Sequence, residues 1–342
     1  MNSPLIVTGM HRSGTSLIAL LLTQLGIQMG DALIPADFRN PRGYYEDVDF
    51  VRLHQAMLQT CVSKRDGGWP DWGWTESESF KRTALDKFRN RAQILLTQRA
   101  IYAPVWGWKD PRTTLFLDFW DRQVADTLGL QARYLLIYRF PWEVADSVQR
   151  LAAPVLVKYP SYAYHMWAFY NRHLLDFYQQ HRERCVLISM NGLLTQLGAL
   201  VTLLQHKLAL PAPSIPLEPW VDQTLFVTSL AQTPLAAFIG TLYPAVIEQL
   251  QALDQAADLS GAALWDTTTP CALESMSPVD AELYLTQLLH VQHEQAALRQ
   301  QLQAMEQSIF WRARQRLVQI KQALYAYSLT RPYPGYKVTQ QK

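Results

Sequence analysis

The sequence has few cysteines. The three in 342 residues are far apart, odd in number and without metal-ligand spacing: Cys61, Cys185 and Cys271. This pattern excludes a disulfide framework and favours a reducing, cytoplasmic setting. The formal net charge is only +2. Because such a chain has no strong overall field, we expect no nucleic-acid partner.

Long apolar runs are also missing. The one candidate targeting segment, residues 16–27, is interrupted by Thr23 and Gln24 and has no small-residue cleavage site. It is too short to span a bilayer, which takes about 20 residues, and it is not typical of a secretion signal. We interpret it as a buried helix.

The most informative stretch is residues 5–22, LIVTGMHRSGTSLIALLL. A short apolar strand is followed by a turn from Gly9 to Gly14 and then by a Leu-rich helix. Glycines let the backbone approach a ligand, and a helix N-terminus directs free amides and a positive dipole at an anion. The stretch therefore predicts a phosphate-binding loop. It differs from the loop G-x-x-x-x-G-K-[ST], because Thr15 replaces the lysine and the cation is Arg12, inside the turn.

Three further strands are predicted at residues 104–108, 132–138 and 185–189, with helical patterns between them. Residues 132–138 are continuously apolar, as expected for a strand buried on both faces. The alternation predicts an α/β fold, with a parallel sheet as the middle of three layers. Ligands bind at the carboxyl ends of such strands. We also expect Thr113 or Thr114 to cap the helix that follows the second strand.

The C-terminal third has a different composition, with no lysine or arginine in residues 208–298. We predict an α/β domain over residues 1–275, a helical appendage over residues 276–327 and a flexible basic tail over residues 328–342. Apolar residues recur in the appendage at heptad-like intervals: Leu288, Val291, Leu298, Leu302, Met305 and Ile309. The pattern indicates either a coiled coil, which would make a homo-oligomer, or a helix packed against the body.

The basic end of the appendage begins at Arg312, beside Phe310 and Trp311. Basic and aromatic residues together favour contact with an anionic membrane surface, at the inner face of the membrane for a cytoplasmic protein. A helix that lies on the protein's own core is the other interpretation.

The string HRSGTS, residues 11–16, resembles the 5′-phosphosulfate loop of sulfotransferases that use 3′-phosphoadenosine 5′-phosphosulfate (PAPS). In that family a basic residue precedes Ser-Gly-Thr, and no metal is needed. The resemblance implies that the loop binds the donor nucleotide through five residues: Arg12, Ser13, Gly14, Thr15 and Ser16.

Residues 134–150, YLLIYRFPWEVADSVQR, resemble the 3′-phosphate-binding segment of the same family. There an arginine ends the strand and a serine follows eight positions later, which corresponds to Arg139 and Ser147. A guanidinium can hold a phosphate through paired charge-assisted hydrogen bonds. About two helical turns bring the serine back to the same side. The resemblance implies that both residues bind the donor.

The run Lys109-Asp110-Pro111 is similar to the Lys-Asp-Pro run of tyrosylprotein sulfotransferases. The resemblance implies that Lys109 neutralises charge on the bridging oxygen as the sulfuryl group departs, and that Asp110 orients it. Cytosolic members instead carry Lys-Thr-His, and the histidine is their base. Since aspartate and proline follow the lysine here, the base must come from elsewhere.

Residues 42–47, RGYYED, resemble the Gly-Tyr-aromatic-Glu run of bacterial sulfotransferases and imply that Glu46 is the base. Tyr44 and Tyr45 would partly bury a carboxyl at this position. A solvated loop carboxylate is the other interpretation of Glu46. Two further candidates for the base are Asp47 and His54.

Residues 66–74, DGGWPDWGW, predict a loop that carries three tryptophans. These side chains either pack in the core or stack on a sugar. His11 likewise either contacts a substrate or has a structural role. From bacterial relatives and this loop we expect the acceptor hydroxyl to belong to a carbohydrate or glycoconjugate.

The resemblance covers about residues 5–192, with its motifs in the family's order. It implies a PAPS-dependent sulfotransferase that needs no metal. The basic clamp near the C-terminus of cytosolic members is missing, so either residues 211–226 close over the nucleotide or donor affinity is lower. One alternative is a P-loop kinase or nucleotide hydrolase, which Thr15 and Arg139 disfavour. The other is a noncatalytic scaffold that binds a partner through the appendage.

Overall fold

A computed structural model of the chain describes residues 3–37, 40, 42–102, 105–211 and 235–265, and the single helical positions 291, 294, 298, 301, 302, 305, 313, 316 and 317. The chain divides into two compact units, Met1–Glu282 and Leu283–Lys342. In the first unit the strands are β1 (Leu5–Gly9), β2 (Gly107–Lys109), β3 (Arg133–Tyr138) and β4 (Cys185–Ser189). The helices are α1 (Thr15–Gln24), α2 (Val48–Cys61), α3 (Arg89–Tyr102), α4 (Leu117–Leu128), α5 (Pro141–Gln149), α6 (Pro154–Lys158), α7 (Tyr162–Gln180), α8 (Met190–Thr195), α9 (Leu197–Leu208), α10 (Leu235–Leu242) and α11 (Pro244–Ala256).

The four strands form one parallel sheet in the order β2-β1-β3-β4. Successive side chains of a strand point to opposite faces. On one face, Val7 and Leu135 share an apolar cluster with Ile18 of α1 and residues of α9. On the other face, Tyr134 packs against Phe177 of α7. The predicted α/β fold, with a parallel sheet between helical layers, is confirmed.

All four strands end at the same edge of the sheet because they are parallel. The turn Met10–Gly14 continues from β1, Asp110 follows β2, Arg139 follows β3 and Met190 follows β4. Three of the segments that were predicted to carry chemistry, those with Arg12, Lys109 and Arg139, therefore start from one edge.

Local structure departs from the predictions beside this edge. Strand β2 is shorter than predicted and includes Lys109, which makes the lysine the last residue of the strand. The predicted threonine cap is wrong. A 3-10 turn, Pro111–Phe116, precedes α4, and its cap is Asp110, whose carboxylate accepts from the Arg112 amide. Thr114 instead hydrogen-bonds the hydroxyl of Thr8 on β1 at 2.9 Å, which joins the turn to the sheet.

The predicted C-terminal appendage lies almost entirely outside the described residues, so its length, its pairing and the domain boundaries stay predictions. Five apolar residues at its described helical positions are exposed: Val291, Leu298, Leu302, Met305 and Leu317. Among the described residues, no helix is both long and apolar enough to cross a membrane.

Candidate active site

The turn between β1 and α1 has an unusual backbone. Arg12 has a φ of 70° and Gly14 a φ of 88°, both in the left-handed region. A side chain at Gly14 would come within 2.4 Å of the Met190 methyl group, so glycine suits both the conformation and the space. A non-glycine residue held in this region, such as Arg12, carries backbone strain of a kind that clusters at ligand-binding turns.

The turn also contains a buried hydroxyl without a partner among the described residues. Ser13 is 0% exposed, and its Oγ makes no hydrogen bond within the part of the chain that the structure describes. Buried polar atoms are almost always paired, and the exceptions call for a functional or structural reason. The amides of Thr15 and Ser16 at the start of α1 lack intrahelical acceptors by the geometry of a helix, whereas those of Leu17 and Ile18 donate to the Gly14 carbonyl oxygen. Together these donors can hold an anion.

The two predicted phosphate-binding segments meet in space. Arg12 Nε donates to Ser147 Oγ at 2.8 Å, although the two residues are 135 positions apart. Arg139 Nη1 donates to the Arg12 carbonyl oxygen at 3.4 Å. The arginine and serine of the second segment therefore lie against the turn of the first.

Glu143, which the sequence analysis did not identify, holds the guanidinium of Arg139. Arg139 Nε donates to Glu143 Oε2 at 2.6 Å, and Asn191 Nδ2 donates to Glu143 Oε1 at 2.9 Å. The glutamate is 1% exposed. Glu143 lies four residues after Arg139, at the start of α5, and ion pairs in helices commonly have this spacing. The spacing could have been recognised in the sequence. Glu143 orients the arginine and offsets part of its charge.

Lys109 lies beside the turn and is 2% exposed. Its Nζ donates to Glu46 Oε1 at 2.7 Å, to the Tyr44 carbonyl oxygen at 3.1 Å and to Ser16 Oγ at 3.2 Å. One ammonium thus joins the end of β2, the first turn of α1 and the segment that carries Glu46. Tyr45, the residue directly before Glu46, has a left-handed backbone conformation with a φ of 55°.

Glu46 is buried rather than solvated, with 6% of its surface exposed. Its second carboxylate oxygen lies 3.5 Å from Arg112 Nη1, so the carboxylate sits between two cations. Arg112 was not assigned a role from the sequence. Its Nη1 also donates to Asp110 Oδ1 at 3.0 Å, and its buried Nε has no hydrogen-bond partner in the described ranges.

Asp110 joins Arg112 to a buried histidine. Asp110 Oδ2 is 2.8 Å from His54 Nδ1, and Trp120 Nε1 donates to His54 Nε2 at 2.7 Å. Because an indole can only donate, Nε2 must be the unprotonated nitrogen, and Nδ1–H donates to Asp110. Burial disfavours the charged carboxylate, but Arg112 and His54 outweigh burial and lower the pKa of Asp110.

The two further candidates for the base both have structural partners. His54 is 0% exposed and uses both of its ring nitrogens. Asp47 is 0% exposed, caps α2 through the Asp49 amide and binds Arg99 through both carboxylate oxygens, at 2.9 and 3.0 Å. Burial opposes its ionisation, yet the hydrogen bond from Arg99 lowers the pKa of Asp47. Neither residue has an oxygen or nitrogen left for an acceptor hydroxyl.

The tryptophan-rich loop packs against the turn. Trp72 stacks on His11, with ring centres 4.1 Å apart, and also on Trp69, at 4.5 Å. Trp74 is 2% exposed and contacts Tyr162. Trp72 and Trp74 therefore have packing roles within the chain, and Trp69 is the partly exposed end of the stack.

No protein-family model and no curated protein matches the chain. Two solved structures are similar to it at 17% sequence identity. One is a sulfotransferase domain from the curacin biosynthetic pathway, with a TM-score of 0.37 over 62% of this chain and 75% of that chain. The other is a sulfotransferase domain from the Synechococcus PCC 7002 olefin synthase, with a TM-score of 0.38 over 83% of this chain and 94% of that chain.

Proposed function

We propose that the chain is a sulfotransferase that moves a sulfuryl group from PAPS to an acceptor hydroxyl. The observation that carries the proposal is the junction of the two phosphate-binding segments, in which Arg12 bonds Ser147 and its carbonyl accepts from Arg139. A nucleotide with an anionic group at its 5′ and 3′ positions needs two such segments side by side. A site for a single phosphate group would need only the turn and not the segment with Arg139 and Ser147.

The residues fit such a donor. The unpartnered Ser13 hydroxyl and the start of α1 can bind the 5′-phosphosulfate, and Arg139 with Ser147 can bind the 3′-phosphate. The offsetting charge of Glu143 and the lack of cations in residues 208–298 favour moderate donor affinity. Residues 212–234, which include most of the predicted closing loop, lie outside the described residues.

PAPS supplies the sulfuryl group and a phosphate leaving group. Arg12 and the residues Ser13 to Ser16 hold the sulfuryl and phosphate oxygens, and Lys109 donates to the oxygen that bridges them as charge develops on it. The acceptor hydroxyl must lose a proton, and the resemblance implies that Glu46 takes it. For the acceptor we propose a carbohydrate or glycoconjugate hydroxyl, supported by the partly exposed Trp69 at the end of the aromatic stack.

The test is calorimetric titration with 3′-phosphoadenosine 5′-phosphate (PAP) in EDTA, with Mg-ATP as comparator. We expect a Kd on the order of 1 μM, or about −8 kcal/mol, and no need for a metal. Arg139→Ala should weaken binding by at least about tenfold, because it removes a charge-assisted contact to the 3′-phosphate.

Arg150→Ala is the matched control, because Arg150 also pairs four residues apart, with Asp146, at 2.5 Å. This variant likewise removes an arginine from a buried carboxylate, yet it should bind PAP like the wild type. Tighter binding of Mg-ATP than of PAP would instead support a kinase or nucleotide hydrolase. Absence of PAP binding would refute the proposed donor.

A further inference from the structure

His11 has an unsatisfied nitrogen next to the proposed reacting groups. The side chain directly precedes Arg12 in the turn after β1 and is 9% exposed. Its Nε2 is buried and has no hydrogen-bond partner among the described residues. A structural histidine would normally have both nitrogens satisfied, as His54 has. The orphaned nitrogen therefore points to a ligand.

The ring of His11 is fixed by its neighbours. Trp72 stacks on it with an angle of 11° between the ring planes, and Tyr170 of α7 contacts it edge-on at 6.0 Å. The Tyr170 hydroxyl donates to the Trp72 carbonyl oxygen at 2.6 Å, which ties the two neighbours together. A group held in this way can act on a substrate without losing side-chain freedom during the reaction.

The surroundings keep the imidazole neutral. Burial, and then the charge of Arg112, lower the pKa of His11 well below 6.5. Lys109 and Arg12 act in the same direction, and Asp110 opposes them. At neutral pH the ring therefore has a nitrogen lone pair that can accept a proton.

The other candidate bases are already engaged. Glu46 has a cation at each carboxylate oxygen, Lys109 at Oε1 and Arg112 at Oε2, so an acceptor hydroxyl would share these oxygens with them. His54 donates through one nitrogen and accepts through the other. Among these groups, His11 alone has a buried side-chain nitrogen or oxygen with no hydrogen-bond partner among the described residues.

We propose that His11, rather than Glu46, is the general base of the sulfuryl transfer. The acceptor oxygen forms a bond to sulfur, and its proton passes to His11 Nε2. The bond from sulfur to the phosphate oxygen breaks, and its electron pair stays on that oxygen, where Lys109 donates a hydrogen bond. The products are the sulfate ester and PAP, and His11 returns its proton to water. In this assignment Glu46 is a positioning residue for Lys109. The inference rests on the proposed function.

The test follows conversion of radiolabelled PAPS to PAP and sulfate, with water as the acceptor, and PAP binding in parallel. His11→Asn, which keeps an amide but has no basic nitrogen, should lower turnover by about 10²-fold and leave the Kd for PAP unchanged, because Nε2 is not among the groups proposed to bind the nucleotide. His173→Asn is the matched control, because His173 is a partly buried histidine of α7 that contacts Phe169 and Arg82. That variant should keep the wild-type turnover.

The pH profile separates the two bases. Since the pKa of His11 lies below its ordinary value, the wild-type rate should stay constant down to well below pH 6.5 and fall only in more acidic solution. His11→Asn should lose this acid limb, and Glu46→Gln should keep it. If Glu46→Gln loses the limb and His11→Asn keeps it, the base is Glu46.

The outcomes also separate this inference from the proposed function. Absence of PAP binding in the wild type would overturn both. PAP binding together with undiminished turnover in His11→Asn would overturn the role of His11 alone. PAP binding without release of sulfate above the uncatalysed rate would also overturn that role and leave the donor site standing.

Discussion

Replacing Lys109 with methionine is expected to lower sulfuryl transfer by about 10³-fold, the upper range for removal of one preorganised donor at a developing charge. Methionine retains the length and apolar stem of the lysine but cannot donate to the bridging oxygen. PAP affinity should change by less than about tenfold, because Arg12 and Arg139 supply the phosphate contacts. Formation of PAP from PAPS measures the rate, and calorimetry measures the affinity.

The same substitution should also destabilise the fold. Lys109 is the closest cation to the buried Glu46 carboxylate, and breaking such a buried pair costs about 3 kcal/mol. The double variant Lys109→Met/Glu46→Gln removes both charges, so it should recover most of the free energy of unfolding and none of the transfer rate. Urea denaturation of the two variants measures the difference.

This pair of variants separates catalysis from folding. An inactive but stable double variant would locate the loss at the reacting groups. A Lys109→Met protein with undiminished transfer would contradict the proposed role of the ammonium. If partner binding is the only measurable activity and neither variant changes it, the chain is a noncatalytic scaffold.

The sequence predicted the framework of the site because the relevant positions follow strongly apolar strands. Arg139 comes directly after a strand that is buried on all but its first residue, and Lys109 ends the strand at the opposite side of β1. Parallel strands then bring their carboxyl ends to one edge whatever the loops do. The approach of Ser147 to the turn follows from helix geometry in the same way.

The contacts within the site could not be predicted from local pattern. Glu46 reaches Lys109 across 63 positions, and the approach depends on a left-handed turn at Tyr45, a residue type that rarely adopts this conformation. The orphaned nitrogen of His11 depends on which side chains surround it, and Trp72 comes from a loop about 60 positions further along. Nothing in the sequence around Arg112 distinguishes it from an arginine exposed on the surface.

The predicted start of the helix after β2 was wrong because several side chains there compete for the same backbone amides. Both threonines after Lys109 are good helix caps by composition, yet Asp110 lies nearer to the start of the turn and its carboxylate binds the Arg112 amide at 2.9 Å. The hydroxyl of Thr114 is then left for Thr8. Which residue caps the turn therefore depends on a contact with strand β1, and a local sequence pattern contains no information about that contact.

Asp110→Asn is expected to have the largest effect on stability, about 3–5 kcal/mol at pH 7. The carboxylate is 0% exposed and holds the side chains of His54 and Arg112 as well as the Arg112 amide. An amide group in its place would put an N–H against one of these donors and would leave Arg112 without its nearest anion. Asp118→Asn, which breaks an exposed pair with Arg82, should cost less than about 0.5 kcal/mol.

The pH dependence isolates the charge of Asp110 from its packing. Its pKa is lowered from 3.8 in the folded state, so the carboxylate contributes stability that is fully present above about pH 4 and is lost as the pH falls through the folded value. The wild type should therefore lose about 1 kcal/mol between pH 5 and pH 3 through this group. Asp110→Asn should lack that loss, so the gap between the two proteins in urea unfolding should narrow by the same amount. A gap that stays constant from pH 5 to pH 3 would mean that the ordinary pKa of the carboxyl is retained, and that Asp110 acts through packing and hydrogen bonds alone.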